Sequence, residues 1–289
     1  MAYIVKGTRM VMGTFVTITV VNTNQDKSHR AILAAFDEIY RISDLMSVHK
    51  KNSEVSLLNK NGFCENISSD TKYVIKRAKH FSQLSDGAFD ITILPILKLW
   101  EESKNQGKVP SKTEIANKSK LVNYKDILVQ DRIVEYRKAG MGITTAGVGK
   151  GYAVDKAVEA LQQHGIEHAL VNAGGDIRCI GGKTKTIPWK IAVRDPQNKN
   201  RVVTTFELFD QAMATSGTYH RDLNDIINPK SGRSAQGILS STVTTETAID
   251  ADILATCMYI LGSTKGLELI EKLENAKALI LTSDKFAVN

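Results

Sequence analysis

The chain has 289 residues, of which 42% are apolar and 24% charged, and a net charge of +7. That length accommodates one large core or two modest domains, and the composition is that of an ordinary globular protein with no apolar run of the ~18 residues that mark a transmembrane helix. The positive residues are scattered, densest at Lys50–Lys51, which describes a solvated lysine-rich surface and argues against a nucleic-acid partner while leaving a modest field that attracts anions.

In chain order, the opening residues alternate polar and apolar, read as a strand over 11–22, and lack the apolar block of a signal peptide. Residues 28–46 read as a helix, with Ile32, Leu33, Phe36, Ile39, Tyr40 and Leu45 in helical phase, and 70–85 repeat that character. The polar stretch 103–120, with Pro110, reads as a surface crossing, and "ILVQDRIVEY" within 127–137 reads as a hairpin. A glycine-rich stretch then leads into a helix whose apolar stripe is Ala153, Val154, Ala157, Val158 and Leu161, with Gly165 as its stop. "HALVNAGGDIRCIGG" and "WKIAVRDP" read as strands, followed by a strand pair over about 202–215 and another strand in "GILSSTVTTE". A helix in "AIDADILATCMYILG", a second at 264–274 and a last strand, "KALILT", complete the chain. There is no internal repeat and no linker long enough to divide the chain, so the expectation is one α+β domain over 1–289 with non-consecutive strand pairing. Cys64, Cys179 and Cys257 are odd in number and lack metal-ligand spacing, which predicts core or near-surface thiols.

Five glycines lie between Gly140 and Gly151. Gly142 and Gly147 have P-loop spacing, but Val148 follows where that motif needs lysine, and Lys150 is followed by Gly151 and not by a hydroxyl residue. The dinucleotide fingerprint G-x-G-x-x-G fails at Thr145. Two readings stand: an anion site at a helix N-terminus, where glycine admits close approach, or a tight strand-to-helix turn.

Four other stretches carry paired readings. "SDGAFDITILPILKLW" either presents Phe89 and Asp90 to a ligand or caps an apolar element. "ALVNAGGDIRCIGG" sets Asn172, Gly174, Gly175 and Asp176 either at a ligand's polar edge or in a glycine turn. "MATSGTYHR" offers Thr215, Ser216, Tyr219 and His220, hydroxyls suited to phosphate oxygens, without the nucleophile-elbow pattern. In "AIDADILAT", Asp252 and Thr256 are four residues apart on one helix face. A carboxylate with a hydroxyl suits a hard cation such as Mg2+, and a buried ion pair or cap is the alternative.

Taken in order, "VMGTFVTITV", "SDGAFDITILPILKLW", "GVGKGYAVDKA", "LVNAGGDI", "ATSGTY", "INPKSG" and "ADILAT" resemble the FAD:protein FMN transferases of the ApbE family over nearly the whole chain. The resemblance implies a single-chain α+β fold of mixed and antiparallel sheets with packed helices. It implies Mg2+-dependent transfer of FMN from FAD, used as a substrate, to a Thr or Ser hydroxyl of an acceptor flavoprotein, with release of AMP. It assigns Gly147, Asp252 and Thr256 to the metal, and Met12, His49, Ala88, Phe89, Asp90, Thr144, Lys150 and Ile226 to FAD. Such chemistry breaks a pyrophosphate, whose oxygens need Mg2+ and a cation to neutralise developing charge.

At three positions the chain departs from the family pattern: Thr144 replaces an acidic residue, His49 lies where an aromatic is common, and Asp225 opens "DIINP" where the family has histidine. Asp225 is accordingly read as the general base, with His220 as the alternative. An FAD pyrophosphatase yielding FMN and AMP, or a flavin-binding protein without catalysis, are the rival functions. Family acceptors imply an extracytoplasmic or periplasmic location, with a cytoplasmic one as alternative; membrane association would come through a precursor segment absent from this sequence.

Overall fold

The computed structural model of the chain describes residues 2–198, 200–217, 226–283 and, as backbone, 286–288. It opens with strands β1 (Tyr3–Val11) and β2 (Thr14–Asn22), antiparallel with Val11 opposite Thr14. The run read as one strand is thus the end of one strand, a turn and a second strand. The turn is Met12–Gly13, with φ of 53° and 72°, the positive angles that match a hairpin's twist. An L side chain at Met12 adopts that conformation at a cost of about 1–2 kcal/mol.

Helix α1 (Gln25–Met46) follows, then α2 (Glu54–Asn61), β3 (Phe63–Glu65) and α3 (Ser69–Leu84). A single 3-10 turn, Ile91–Ile93, leads into α4 (Leu94–Asn105) and α5 (Lys112–Ser119). The stretch 103–120, read as a surface crossing, contains a helix, announced by the capping box that Ser111 and Glu114 form. Strands β4 (Ile127–Val129) and β5 (Ile133–Tyr136) make the expected hairpin, Ile127 opposite Tyr136. Next come α6 (Gly149–Gln163), β6 (Ala169–Ala173), β7 (Asp176–Ile180), β8 (Trp189–Arg194), β9 (Val202–Leu208) and β10 (Ala212–Gly217). The chain ends with β11 (Ile227–Asn228), β12 (Arg233–Ser234), β13 (Ser240–Thr245), α7 (Ala248–Ile270), β14 (Lys277–Leu281) and β15 (Phe286–Val288).

These elements gather into two compact units. One comprises Met1–Ser43, Gly147–Asp222 and Gly237–Asn289, the other Asp44–Ala146 and Leu223–Gln236. The first is built on an eight-stranded antiparallel sheet in the order β1-β2-β6-β7-β10-β13-β14-β15. Alternation places Val16, Ile18 and Val20 of β2 in the core. The segment "HALVNAGGDIRCIGG" is two strands and not one. Gly174–Gly175 is the two-residue turn between Ala173 and Asp176, with φ of 63° and 105°, and a Cβ on Gly174 would lie 2.3 Å from Thr14 Oγ1. The expected pairing over 202–215 is also corrected: β9 pairs with β8 in a separate hairpin, whereas β10 lies between β7 and β13. Sequence adjacency suggested a hairpin, and the non-local ladder prevails.

Helices α6 and α7 pack against each other and against the sheet. The stripe expected on α6, Ala153, Val154, Ala157, Val158 and Leu161, is buried. The first turns of the two helices approach so closely that a Cβ on Gly151 would stand 2.3 Å from the carbonyl oxygen of Ala248. Thr247 provides no side-chain cap to α7. Instead Asp155, on α6, accepts from the amides of Ala248 (2.8 Å) and Ile249 (2.9 Å) and pairs with Arg178 (2.7 Å). By length and hydropathy alone α7 is apolar enough to cross a bilayer, but its apolarity is that of a core helix packed on β10, β13 and α6. Gly262, with φ of 79°, interrupts it where the sequence divides two helices, and the second piece ends at Ile270, short of 274.

The second unit contains α2 to α5, the three-stranded sheet β3-β5-β4 and the short ladder of β11 with β12. Ile227 packs on Ile93 and Ile96, and Trp100 Nε1 donates to the carbonyl of Gly232 (2.8 Å). All three cysteines are buried and free, as expected from their spacing.

Replacing Gly151 with alanine drives a methyl group into backbone. Gly151→Ala should cost about 1–3 kcal/mol of stability, the usual range for overpacking, read as a lowered thermal midpoint. An unchanged midpoint would mean that the two helices part without penalty.

Candidate active site

The glycine-rich stretch resolves into separate physical demands. Gly147 turns the chain with φ of 79°, and Gly151 is required by the neighbouring helix. Val148, at the N-terminus of α6, makes no side-chain cap. Lys150 turns back onto β7, where its ammonium pairs with Asp176, whose side chain is only 3% exposed. The amide of Gly151, the next residue, donates to Oδ2 of Asp252 (3.2 Å), itself buried. One turn of α6 thus holds two buried carboxylates, one through an ammonium and one through a backbone N–H. One turn further along α7, the half-buried hydroxyl of Thr256 shares a 3.2 Å hydrogen bond with Ser216 on β10.

Burial pushes the Asp252 carboxyl up to about 7, the adjacent Asp176 charge adds to that shift, and Lys150 and the Gly151 N–H oppose it. Burial likewise raises Asp176, against the pull of Lys150. Two ionised carboxylates against one ammonium leave a buried negative charge, an expensive arrangement without a further cation. Asp252 and Thr256 supply a carboxylate and a hydroxyl, oxygen donors that suit Mg2+ and leave positions for water and phosphate. Among the described residues no group of three or more His, Cys, Asp and Glu forms a metal cage, and Mg2+ does not require one. The sequence offered Asp176 either to a ligand's polar edge or to a glycine turn, and assigned it no role at the metal or FAD. Its signal is an acid directly after a glycine turn at the head of an otherwise apolar strand.

Most of the positions matched to FAD fall in the other unit. Oδ1 of Asp90 accepts from the amide and hydroxyl of Thr92 (2.8 and 2.6 Å), and Oδ2 accepts from the amide of Tyr124 (2.9 Å), so Asp90 caps the 3-10 turn. Burial raises its pKa and these hydrogen bonds oppose the rise. Ala88 and Phe89 are buried in the same turn. Thr144 donates its amide to the carbonyl of Ile91 (2.8 Å), beside that cap, and Thr145 donates its hydroxyl to the carbonyl of Met46 (3.0 Å), at the head of the turn carrying exposed His49. The carbonyl of Ile226 accepts from Ala235 (2.8 Å), next to Ile227 in its apolar cluster. Met12 belongs to the first unit, in the left-handed turn of the β1–β2 hairpin. Asp225 and His220 lie outside the described residues. A cavity of about 280 Å³ in the second unit, lined by Asn59, Leu94, Lys98, Glu102, Lys118 and Met141 among others, contains none of the candidate residues.

The sequence profile of the ApbE family matches residues 12–280. The chain belongs to the ApbE family. Relatives within it are named FAD:protein FMN transferase. The one from Vibrio cholerae is 27% identical over 94% of this chain and 86% of its own length, and the one from Haemophilus influenzae is 29% identical over 91% and 81%. Among solved structures, the ApbE protein of Thermotoga maritima superposes with a TM-score of 0.89 at 31% identity, covering 99% of this chain and 96% of that one. The flavin transferase ApbE of Vibrio cholerae gives 0.86 at 26%, covering 100% and 97%. The α+β class read from the sequence is therefore the ApbE fold, and the chain is an enzyme of this family.

In this ApbE-family chain the raised Asp252 pKa has a measurable sign. The folded protein favours the protonated carboxyl, so this contribution to stability is fully present below the ordinary Asp value of 3.8 and is lost as pH rises from there to about 7. With divalent cations chelated, the thermal midpoint should fall between about pH 5 and about pH 7 and level off above that, and Asp252→Asn should flatten that profile. A midpoint rising over the same range, unaltered by the substitution, would remove Asp252 from the buried charge balance.

Proposed function

We propose that this chain transfers FMN from FAD to a Thr or Ser hydroxyl of an acceptor protein in a Mg2+-dependent reaction that releases AMP. The observation that supports it best is the buried group of Asp252, Asp176 and Lys150 around the first turn of α6, a pocket of charge with one resident cation and a deficit that a second cation fills. The names of the relatives support the same donor and a protein acceptor.

Asp252, Thr256 and the Gly147 carbonyl would hold Mg2+, which when bound neutralises charge on the phosphoryl oxygens of the pyrophosphate. The chain's own residues account for the remaining tasks. Lys150 brings a point charge to the pyrophosphate, and the start of α6, where Val148 makes no side-chain cap, turns the positive end of the helix dipole to the same anion. The acceptor hydroxyl oxygen bonds to the FMN phosphorus, the phosphorus–oxygen bond to AMP breaks, and the hydroxyl proton passes to Asp225. A carboxylate serves as such a base in protein kinases.

Incubation with FAD, Mg2+ and a co-expressed acceptor, read by mass spectrometry and AMP release, tests the reading. AMP formed only with acceptor supports transfer; AMP formed without it indicates hydrolysis of FAD, and none indicates a flavin binder. Asp252→Ala should abolish Mg2+-dependent turnover while the protein remains folded. Asp225→Asn should slow single-turnover transfer by about 10²-fold or more, as loss of a general base does, with FAD binding little changed. His220→Ala should have the smaller effect, and the reverse order would make His220 the base.

A further inference from the structure

We propose that Lys150 is a built-in placeholder for the divalent cation, and that Asp176 is the positioning residue that stores its ammonium until the cation arrives. The inference rests on the metal reading of Asp252 given above. Its geometric basis is the adjacency of two hydrogen bonds. Lys150 and Gly151 are consecutive, and the first places its ammonium on Asp176 while the second places its amide on Asp252. The two carboxylates, on β7 and α7, are therefore brought to one turn of α6. Lys150 is 35% exposed along its side chain, whereas Asp176 is 3% exposed. The ammonium sits at the boundary between a buried anion and solvent, on a flexible stem able to reorient without unfolding anything.

The charge balance determines how the site responds. Two carboxylates and one ammonium sum to a single negative charge. Adding a divalent cation reverses the sign and weakens the hold of Asp176 on Lys150. The released ammonium is then available to a phosphate anion. Linkage makes the effect reciprocal: the nearer the Lys150 ammonium lies to Asp252 the more it competes with the cation, and whatever draws it away from Asp252 assists cation binding. A lysine serving only as a surface phosphate contact would not have a buried partner, and a purely structural ion pair would not alter cation affinity in the direction argued here.

Mn2+ titrated calorimetrically into the whole chain, with no nucleotide present, tests this. Lys150→Met leaves the two carboxylates without their competitor and should bind Mn2+ about tenfold more tightly, within the usual range of coupling between ligands. Asp176→Asn keeps the side-chain shape, turns the ammonium onto Asp252 and should weaken Mn2+ about tenfold. The double variant should return close to the unaltered chain. Weaker or unchanged binding in folded Lys150→Met overturns the proposal. If Lys150→Met does not fold, the isosteric Asp176→Asn decides alone, and unchanged or tighter binding overturns it. Asp252→Asn separates this inference from the reading beneath it. Mn2+ affinity independent of Asp252 overturns the metal reading and the placeholder together, whereas affinity that depends on Asp252 but not on Lys150 or Asp176 overturns the placeholder only.

Discussion

The first unit depends on the close approach of the N-terminal turns of α6 and α7. Two features permit it: the missing side chain at Gly151 and the buried carboxylate of Asp155, which accepts the leading amides of α7. A helix start needs partners for its free N–H groups, and here they come from another helix and not from a local cap. Removing one member of such a buried, hydrogen-bonded charge group typically costs about 3–5 kcal/mol. Seating α7 in this way fixes Asp252 within reach of the Gly151 amide and sets Thr256 against Ser216. The candidate cation site is a by-product of how two helices are docked.

This alters the meaning of the glycine-rich sequence. A cluster of glycines before a helix invites comparison with phosphate cradles, but the glycines themselves answer to other demands. Gly151 is explained by backbone at 2.3 Å and Gly147 by its positive φ. Neither requires a ligand. On the proposed function an anion is drawn by charge and not by the glycines, because Lys150 lies beside buried acids that set where its ammonium rests.

Local periodicity made several elements legible in advance. The stripe on α6 and the hairpin at 127–137 follow from the spacing of apolar residues and turn residues. Asp252 and Thr256 were readable as a donor pair because four residues make one helical turn. What escaped depended on contacts distant in sequence or on turns disguised by their neighbours. Met12 is an unusual occupant of a left-handed turn, so a hairpin looked continuous. The pairing of β10 with β7 and β13 has no local signature. Asp176 acquires meaning only once β7 is placed beside α6, and an acid such as Asp90 looks the same in sequence whether it holds a ligand or caps a turn.

Gly262 divides α7 into a core piece bearing Asp252 and a shorter piece from Ser263 to Ile270. Intrahelical hydrogen bonds carry cooperativity along a helix, and a residue outside helical φ and ψ interrupts that propagation. Opening of the distal piece is therefore free to occur as a local event, in the sense that amide exchange distinguishes separate cooperative units within one native state. The amides around Asp252 should then keep the protection of the core, while those beyond Gly262 should exchange as a separate unit. Motion at the far end of the helix is thereby insulated from the carboxylate at its near end.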